Sequence, residues 1–199
     1  MGLQWFPVAA LKLDDPTIDI ARGNHDQGIM SPMVSIKLSS TGIGQMKRSR
    51  SDTLLIREAT ASDLPDLMRL YAQPDLDDGK ILPPADARRI LDRIAHYPNY
   101  KIYVAIREGY VAGTFALLIM DNLGHRGKPS AIIEDVAVDP ALHRHGIGKA
   151  MMQYAIGRAS EYGCYKAVLS SNLKRKKAHA FYDSLGFERH GYSFRVDLR

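Results

Sequence analysis

The sequence contains very little cysteine, since Cys164 is the only one in 199 residues. A single thiol can form neither an internal disulfide nor a cysteine-rich metal site, so we expect a reducing compartment, with the cytoplasm as the default. The sequence also lacks a long hydrophobic run, and its opening residues, MGLQWFPVAALKLDDP, have no basic region before their apolar residues. We therefore expect neither secretion nor a membrane span.

The composition has no extreme that would exclude an ordinary soluble domain. With 45% hydrophobic and 25% charged residues, 199 residues are enough for one sizeable core. A formal charge of +5 suits anionic partners, but the basic residues form short, separate clusters at 47–50 (KRSR) and 174–177 (KRKK). Because no nucleic-acid recognition motif accompanies them, we do not expect a nucleic-acid partner.

Hydrophobic periodicity predicts alternating strands and helices over residues 52–199. The predicted helices have inward faces centred on Leu67, Ile90, Met151 and Phe181. Strands are predicted at 54–58, 101–106, 110–120, 131–138, 164–170, 187–190 and 192–198, with a hairpin turn at Glu108 and Gly109. Residues 1–51 lack sustained periodicity and are predicted to be an irregular or partly disordered extension, although the apolar segment 33–38 (MVSIKL) is suited to packing on a surface.

A junction between a strand and a helix is the most informative local feature. In the run IEDVAVDPALHRHGIGKA, residues 133–150, a β-type segment breaks at Asp139 and Pro140, and a helix begins around Gly146 and Gly148. N–H groups in the first turn of a helix have no intrahelical acceptor, and the helix dipole adds partial positive charge, so such an end binds anions. We therefore predict a cradle for a pyrophosphate, which the two glycines let a ligand approach closely.

Two other glycine-based phosphate motifs do not fit this junction. A GxxxxGK[ST] loop requires Ser or Thr after its lysine, but Lys149 is followed by Ala150. A GxGxxG dinucleotide fingerprint requires a third glycine, which residues 150–152 do not supply.

Two motifs together resemble the Gcn5-related N-acetyltransferase (GNAT) family. Residues 143–148 resemble its motif A, [QR]xxGx[GA], and residues 178–192 (AHAFYDSLGFERHGY) resemble its AxxFYxxxGF element. His143 replaces the usual Arg or Gln, and Arg175 stands where many members have Asn. The resemblance covers about residues 52–199. It implies an α/β fold with a central mixed, mostly antiparallel sheet, splayed between its fourth and fifth strands and flanked by helices.

The same resemblance implies that acetyl-coenzyme A is the acetyl donor and assigns residues to it. Backbone groups of Val136, Ala137 and Val138 would bind the pantetheine amides. The pyrophosphate would bind at His143, Arg144, His145, Gly146, Ile147, Gly148 and Lys149. Tyr182 would contact the cosubstrate and protonate the departing thiolate, the alternative being a core aromatic with only a structural hydrogen bond. Asn172 would either contact the pantetheine arm or cap the last helix.

Two carboxylates just before these strand residues are candidate bases for the ammonium proton. Glu134 and Asp135 are predicted to lie on opposite faces of a strand, so that only one of them faces the acceptor. We expect one of the two to accept the proton through water, with Glu134 preferred by analogy to related enzymes. The alternative is a carboxylate held in an ion pair.

The resemblance also bears on the acceptor. Residues 133–139, 163–169 and 170–182 resemble the glucosamine-6-phosphate and aminoalkylphosphonate branches more than the peptide-acetylating ones. This implies a primary amine on a small molecule, with a phosphate or phosphonate group as one option. A protein or peptide amine and a non-catalytic acyl-coenzyme A binding module are the alternatives. We assign no metal, because His143 and His145 lack a third ligand. The resemblance is also compatible with a homodimer.

Overall fold

The computed structural model describes residues 34–37, 53–74 and 76–198. Its six strands form one sheet in chain order, in which every neighbouring pair is antiparallel except the last pair, which is parallel. The strands are β1 (Val34–Lys37), β2 (Thr53–Glu58), β3 (Tyr100–Arg107), β4 (Tyr110–Met120), β5 (Ser130–Val138) and β6 (Ala167–Leu169). This sheet confirms the predicted mixed, mostly antiparallel α/β fold.

Strand β1 lies in the part of the chain that was predicted to be irregular. Val34 pairs with Ile56 and Lys37 pairs with Thr53, so β1 adds an antiparallel strand along the edge of β2. The central residues of segment 33–38 thus pair as a strand along the sheet edge. The rest of the predicted extension, residues 1–33 and 38–51, lies outside the described residues.

In the described part of the chain, four α-helices flank the sheet: α1 (Leu64–Tyr71), α2 (Pro84–Ile94), α3 (Ile147–Glu161) and α4 (Lys176–Ser184). Helix α1 follows a short 3-10 turn that is fixed by Asp63, a carboxylate only 5% exposed. Asp63 accepts hydrogen bonds from Thr60 N at 2.7 Å and from Arg57 Nη1 and Nη2 at 2.7 and 2.8 Å. This network joins β2 to the start of α1. None of the described helices is long and apolar enough to cross a membrane.

The sheet is buried on both faces because helices cover both. Leu67 and Leu70 of α1 form one cluster with Val104, whereas a larger cluster on the other face includes Phe115 and Met151. The predicted inward face of α3 is confirmed, with Ile147, Met151, Ala155 and Ala159 at most 3% exposed. Burial on both faces explains why β4 reads as a continuous apolar run.

The predicted hairpin between β3 and β4 is also confirmed. Glu108 and Gly109 have φ values of 51° and 85°, so both residues of the two-residue turn are left-handed. A turn of this kind matches the twist of the two strands that it joins.

Strands β5 and β6 separate after three residue pairs. Ala131, Ile132 and Ile133 pair with Ala167, Val168 and Leu169, and β6 then ends. Beyond Ile133, the strand partners of β5 within the described chain all lie in β4. The sheet is therefore splayed between these two strands, as the resemblance implied.

The prediction of two further strands after Gly186 is wrong. Residues 187–190 and 192–198 have no regular secondary structure and no ladder partner in the described chain. The start of this segment is tied to the end of α4 instead, because Phe187 N donates to Tyr182 O at 3.1 Å and Arg189 forms a 2.6 Å ion pair with Asp183. From Glu188 to Leu198, every residue is exposed. The strand predicted at 164–170 is also shorter than expected and spans only Ala167–Leu169.

Candidate active site

A β-bulge lies where β5 leaves β6. Glu134 pairs with Ala116, and Ala137 pairs with Thr114, so Asp135 and Val136 together stand opposite Phe115. Asp135 has φ of 53°, in the left-handed region that Asp tolerates better than most residues. Because a bulge interrupts the alternation of side chains, the prediction that regular alternation separates Glu134 from Asp135 does not hold. Both residues are largely accessible to solvent, but the surrounding chain partly desolvates their carboxylates.

Both carboxylates lie in an acidic environment. Burial raises the pKa of Glu134, and the charge of Asp135 adds to the effect. Burial also raises the pKa of Asp135, and here the charge of Asp77 adds to it. Neither carboxylate forms an ion pair with any described residue. The ion-pair alternative is therefore not supported, and both groups hold protons more readily than ordinary carboxylates.

Tyr182 belongs to α4, and its hydroxyl is influenced by the charge of Glu134. Its half-buried ring packs between Phe181 and Phe187, with ring centroids 5.2 and 5.7 Å away. Burial raises the pKa of the Tyr182 hydroxyl, the charge of Arg175 opposes this shift, and the charge of Glu134 adds to it. A raised pKa keeps the hydroxyl protonated at neutral pH, which a proton donor requires. The negative charge of Glu134 thus helps to keep the Tyr182 hydroxyl protonated.

Two tyrosines that sequence reasoning missed also lie near the bulge. Burial raises the pKa of Tyr71 to about 12, a hydrogen bond with Thr114 opposes the shift, and the charge of Asp135 adds to it. Burial likewise raises the pKa of Tyr100, with contributions from Asp135 and Glu134. No pattern in the sequence marks these residues, because α1 and β3 reach β5 only through the folded sheet.

The predicted cradle begins with a rigid turn after β5. Asp139 Oδ1 accepts a hydrogen bond from Ala141 N at 3.0 Å, and Asp139 Oδ2 accepts one from Arg69 Nη1 at 2.5 Å. Arg69 Nη2 also donates to Val111 O at 3.0 Å. Helix α1 thereby fixes the turn against the start of β4.

The backbone then changes hand twice before α3. Arg144 has φ of 67° and Gly146 has φ of 77°, both in the left-handed region. Ala150 N donates to Gly146 O at 3.0 Å, so the hydrogen bonding of the helix starts there. The N–H groups of Gly146, Ile147 and Gly148 precede this bond and face the open helix end. Left-handed residues next to a helix start make a concave backbone surface that binds anions, which fits a pyrophosphate.

The two histidines of the loop bond to nearby backbone. A ring nitrogen of His143, Nε2, lies 3.2 Å from Val138 O, and His145 Nδ1 lies 3.0 Å from His143 O. His143, which replaces the family's Arg or Gln, therefore holds the loop against the end of β5. Among the described residues, no three His, Cys, Asp or Glu side chains are grouped as a metal site.

Gly148 has a packing role that the sequence did not reveal. A Cβ at this position would lie 3.2 Å from Phe181 Cζ and 3.7 Å from Val138 Cγ2. Besides the predicted close approach by a ligand, which stays a prediction, the absence of a side chain lets α3 contact α4 beside Tyr182. The start of α3 therefore packs directly against Phe181, the residue before Tyr182 on α4.

Asn172 organises the chain between β6 and α4. Its Oδ1 accepts a hydrogen bond from Lys174 N at 2.9 Å, and its carbonyl oxygen accepts one from Arg175 N at 2.9 Å. His179 Nε2 also lies 2.9 Å from this carbonyl oxygen. Because α4 begins at Lys176 with Arg175 at its cap position, the alternative that Asn172 caps the helix is wrong. Asn172 closes the preceding turn instead.

Comparison with known proteins agrees with this arrangement of a splayed sheet and a glycine-containing helix start. The sequence profile of the Acetyltransferase (GNAT) family matches residues 64–187. The chain belongs to the GNAT acetyltransferase family. Members of this family are enzymes, so the chain is an N-acetyltransferase, and the alternative of a non-catalytic binding module is set aside.

This GNAT acetyltransferase is similar to several individual proteins. It is 31% identical over 138 residues to glucosamine 6-phosphate N-acetyltransferase from Trypanosoma brucei brucei, covering 69% of this chain and 88% of that protein. It is 30% identical over 97 residues to aminoalkylphosphonate N-acetyltransferase from Salmonella typhimurium, covering 49% and 62%. The structure of a putative acetyltransferase from Agrobacterium tumefaciens superposes with a TM-score of 0.68 at 31% identity, covering 72% of this chain and 99% of that one.

Proposed function

We propose that this GNAT enzyme transfers the acetyl group of acetyl-coenzyme A directly to a primary amine of a small molecule. Bound acetyl-coenzyme A supplies the acetyl group and a thiol as leaving group. The observation that carries the proposal is the close contact of the start of α3 with α4 and the end of β5, where a Cβ at Gly148 would lie 3.2 Å from Phe181 Cζ, next to Tyr182, and 3.7 Å from Val138 Cγ2. This is where the reacting groups would meet if a pyrophosphate bound at residues 143–149.

The roles of the binding residues follow from the backbone groups that they present. The N–H groups of Gly146, Ile147 and Gly148 would bind phosphate oxygens, and Arg144 and Lys149 would add cationic charge around them. On the splayed side of β5, backbone groups of Val136, Ala137 and Val138 are suited to the amides of an extended pantetheine arm. His143, His145 and Asn172 would hold the surrounding loops through the hydrogen bonds described above.

The reaction requires two proton movements and no protein nucleophile. The neutral amine nitrogen attacks the thioester carbonyl carbon, and the carbon–sulfur bond then breaks. Glu134 accepts the ammonium proton through water, and the Tyr182 hydroxyl gives its proton to the departing thiolate. Burial raises the pKa of Glu134 toward neutral pH. A general base is most effective when its pKa lies near the pH at which the enzyme works. Asp135 is the alternative base and, in this proposal, tunes Glu134 by its charge.

For the acceptor, we propose an amine that carries a phosphate or phosphonate group. The names of the relatives from Trypanosoma and Salmonella support this class. A basic run supports it as well, because one of its members, Arg175, acts by its charge on the Tyr182 hydroxyl. The run consists of Lys174, Arg175, Lys176 and Lys177. We further propose that the enzyme works in the cytoplasm as a homodimer and acts without a metal.

An amine panel tests the proposed function. Purified enzyme is mixed with acetyl-coenzyme A and matched pairs of amines with and without a phosphate group, and free thiol is measured. We expect turnover with a primary amine and a higher kcat/KM for the phosphorylated member of a pair. Equal values within every pair would reject the anionic acceptor, and no thiol release with any amine would count against the proposed reaction.

The variant Tyr182→Phe tests the role of the hydroxyl. It should lower kcat by about 100-fold while changing the Kd for coenzyme A less than about twofold, because the ring packing is kept and a general acid is lost. Tyr97→Phe, at a tyrosine 58% exposed after α2, is the matched control and should leave both values unchanged. An unchanged kcat in Tyr182→Phe would reject the acid role.

A further inference from the structure

The loop that leads from β5 into α3 has few packing contacts of its own. Of residues 140–146, only Leu142 is partly buried, and the others are exposed. Leu142 and His145 also line a cavity of about 410 Å³, which Arg69 of α1 and Val111 of β4 border as well. Packing alone therefore does not fix the position of this loop.

One side chain from a distant element holds the root of the loop. Arg69 Nη1 donates to Asp139 Oδ2 at 2.5 Å, although the two residues are 70 positions apart, and Arg69 Nη2 donates to Val111 O at 3.0 Å. By contrast, the hydrogen bonds of His143 and His145 stay within residues 138–145. Arg69 thus connects the loop to another part of the fold, whereas the two histidines shape it locally.

Helix α1 is a firm anchor for this side chain. Leu67 and Leu70, which flank Arg69 along the helix, are 1% and 0% exposed, and they pack in the cluster that includes Val111 and Ala137. Side chains in such a close-packed cluster do not shift without disturbing the sheet. The guanidinium is therefore held by a rigid element, as a group that positions another group must be.

Asp139 transmits this restraint to the turn that follows it. One carboxylate oxygen accepts from Arg69, while the other accepts from Ala141 N at 3.0 Å. The hydrogen bond from Ala141 N lowers the pKa of Asp139, burial opposes this shift, and the hydrogen bond and charge of Arg69 add to it. The ionised carboxylate therefore bonds α1 and the turn at once. Arg144 and Gly146, whose left-handed φ values shape the cradle, follow this turn.

We propose that Arg69 is a positioning residue for the cosubstrate: it holds the cradle in its binding shape through Asp139 without contacting the cosubstrate itself. A loop that already has its bound shape loses less conformational freedom on binding, so its affinity is higher. Without the guanidinium, residues 140–146 could move into the adjoining cavity, and the affinity would fall. This inference rests on the proposed function, because it requires the pyrophosphate of acetyl-coenzyme A to bind at residues 143–149.

The first arm of the test measures the Kd for coenzyme A by isothermal titration calorimetry, which does not require turnover. Arg69→Met keeps an unbranched side chain but removes the guanidinium, and it should raise the Kd about tenfold, the effect of losing one hydrogen bond to a charged group. The matched control is Asp66→Asn, which removes only the exposed partner of Arg69 and should change the Kd less than about twofold. An unchanged Kd in Arg69→Met, or an equal rise in Asp66→Asn, would overturn the proposal.

A double-mutant cycle tests whether Arg69 acts through Asp139. Asp139→Asn keeps an oxygen that can accept from Ala141 N but loses the charge that pairs with Arg69, so it should raise the Kd as Arg69→Met does. The double variant should bind coenzyme A less than about twofold more weakly than the weaker single variant, because both changes remove the same pair. Additive effects, about 100-fold in total, would show that the two residues act separately and would contradict the proposal.

A truncated acetyl donor separates positioning of the cradle from a general effect on folding. S-acetylpantetheine lacks the nucleotide and its pyrophosphate, and a primary amine from the panel serves as acceptor. Arg69→Met should lower kcat/KM for acetyl-coenzyme A about tenfold, through KM, and leave kcat/KM for S-acetylpantetheine unchanged. Equal losses with both donors would overturn this inference and leave the proposed function standing. A wild type that used both donors equally well would instead reject pyrophosphate binding at the cradle, and the inference with it.

Discussion

At the scale of single residues, the bulge at Asp135 decides how the two carboxylates can act. Its left-handed φ of 53° and the shifted register opposite Phe115 bring both Glu134 and Asp135 to the splayed end of β5. The sequence IEDVAVD indicated a strand and a pair of candidate bases, but not the bulge. A bulge depends on pairing with a distant strand, which local alternation does not encode.

The assignment of Glu134 as the base predicts a specific pH dependence. The acid limb of kcat/KM should follow the pKa of Glu134, because only the deprotonated carboxylate can accept a proton. Glu134→Gln should lower kcat/KM by about 100-fold and remove this limb. Asp135→Asn should move the limb to lower pH, because the charge of Asp135 helps to raise the pKa of Glu134. Loss of the limb in Asp135→Asn but not in Glu134→Gln would assign the base to Asp135.

At the scale of elements, hydrophobic spacing predicted α3 and the β3–β4 hairpin well. These elements rest on local patterns: four inward residues at helical intervals, and a two-residue turn that ends in glycine. The sequence could not indicate the role of Gly148 against Phe181, which lies on a helix more than thirty residues away in the printed sequence. Nor could it reject the two strands predicted after Gly186. Their alternating pattern is real, but a strand also requires a ladder partner, and none pairs with them within the described residues.

The contact between β4 and α3 predicts the effect of a single added methyl group. A Cβ at Gly113 would lie 2.7 Å from Met151 Sδ and 3.0 Å from Ala137 O. Gly113→Ala should therefore lower the free energy of unfolding by about 1–3 kcal/mol, the usual cost of overpacking. The control is Gly157→Ala within α3, where nothing lies within 4 Å of the added Cβ. It should raise stability by about 0.5–1 kcal/mol, and denaturant titration compares the two; equal stability of both variants would contradict the packing described here.

The join between β2 and α1 predicts a pH-dependent loss of stability. Burial alone would raise the pKa of Asp63, but hydrogen bonds from Arg57 and Thr60 outweigh it and lower the pKa. The stabilisation is therefore present above the unfolded-state pKa of about 3.9 and is lost as pH falls through the lower folded-state value. Asp63→Asn should cost about 2 kcal/mol at neutral pH, and this difference should shrink below about pH 4.

Asp66→Asn is the control for Asp63→Asn. Asp66 forms an exposed 3.2 Å ion pair with Arg69, so its loss should cost less than about 1 kcal/mol. Denaturant titrations across pH would measure both. A penalty for Asp63→Asn that stayed constant down to the lowest pH would contradict the assigned role of its charge.

At the scale of the whole molecule, the proposed site lies where distant parts of the chain converge. Strand β5 supplies the bulge and the start of the cradle, α3 supplies backbone N–H groups, and α4 supplies Tyr182. The two sequence motifs predicted the cradle and the tyrosine separately. Their proximity to each other, and to Tyr71 and Tyr100, depends on the splay and on the packing of helices across the sheet. Those long-range features are beyond what spacing along the chain can specify.

The central claim is that backbone amides at the start of α3 hold the pyrophosphate while Tyr182 meets the sulfur. A crystal structure of this enzyme with coenzyme A tests it most directly. We predict phosphate oxygens about 2.7–3.2 Å from the amide nitrogens of Gly146, Ile147 or Gly148, and the sulfur within hydrogen-bonding reach of the Tyr182 hydroxyl. A pyrophosphate bound elsewhere, or a sulfur far from that hydroxyl, would contradict the claim.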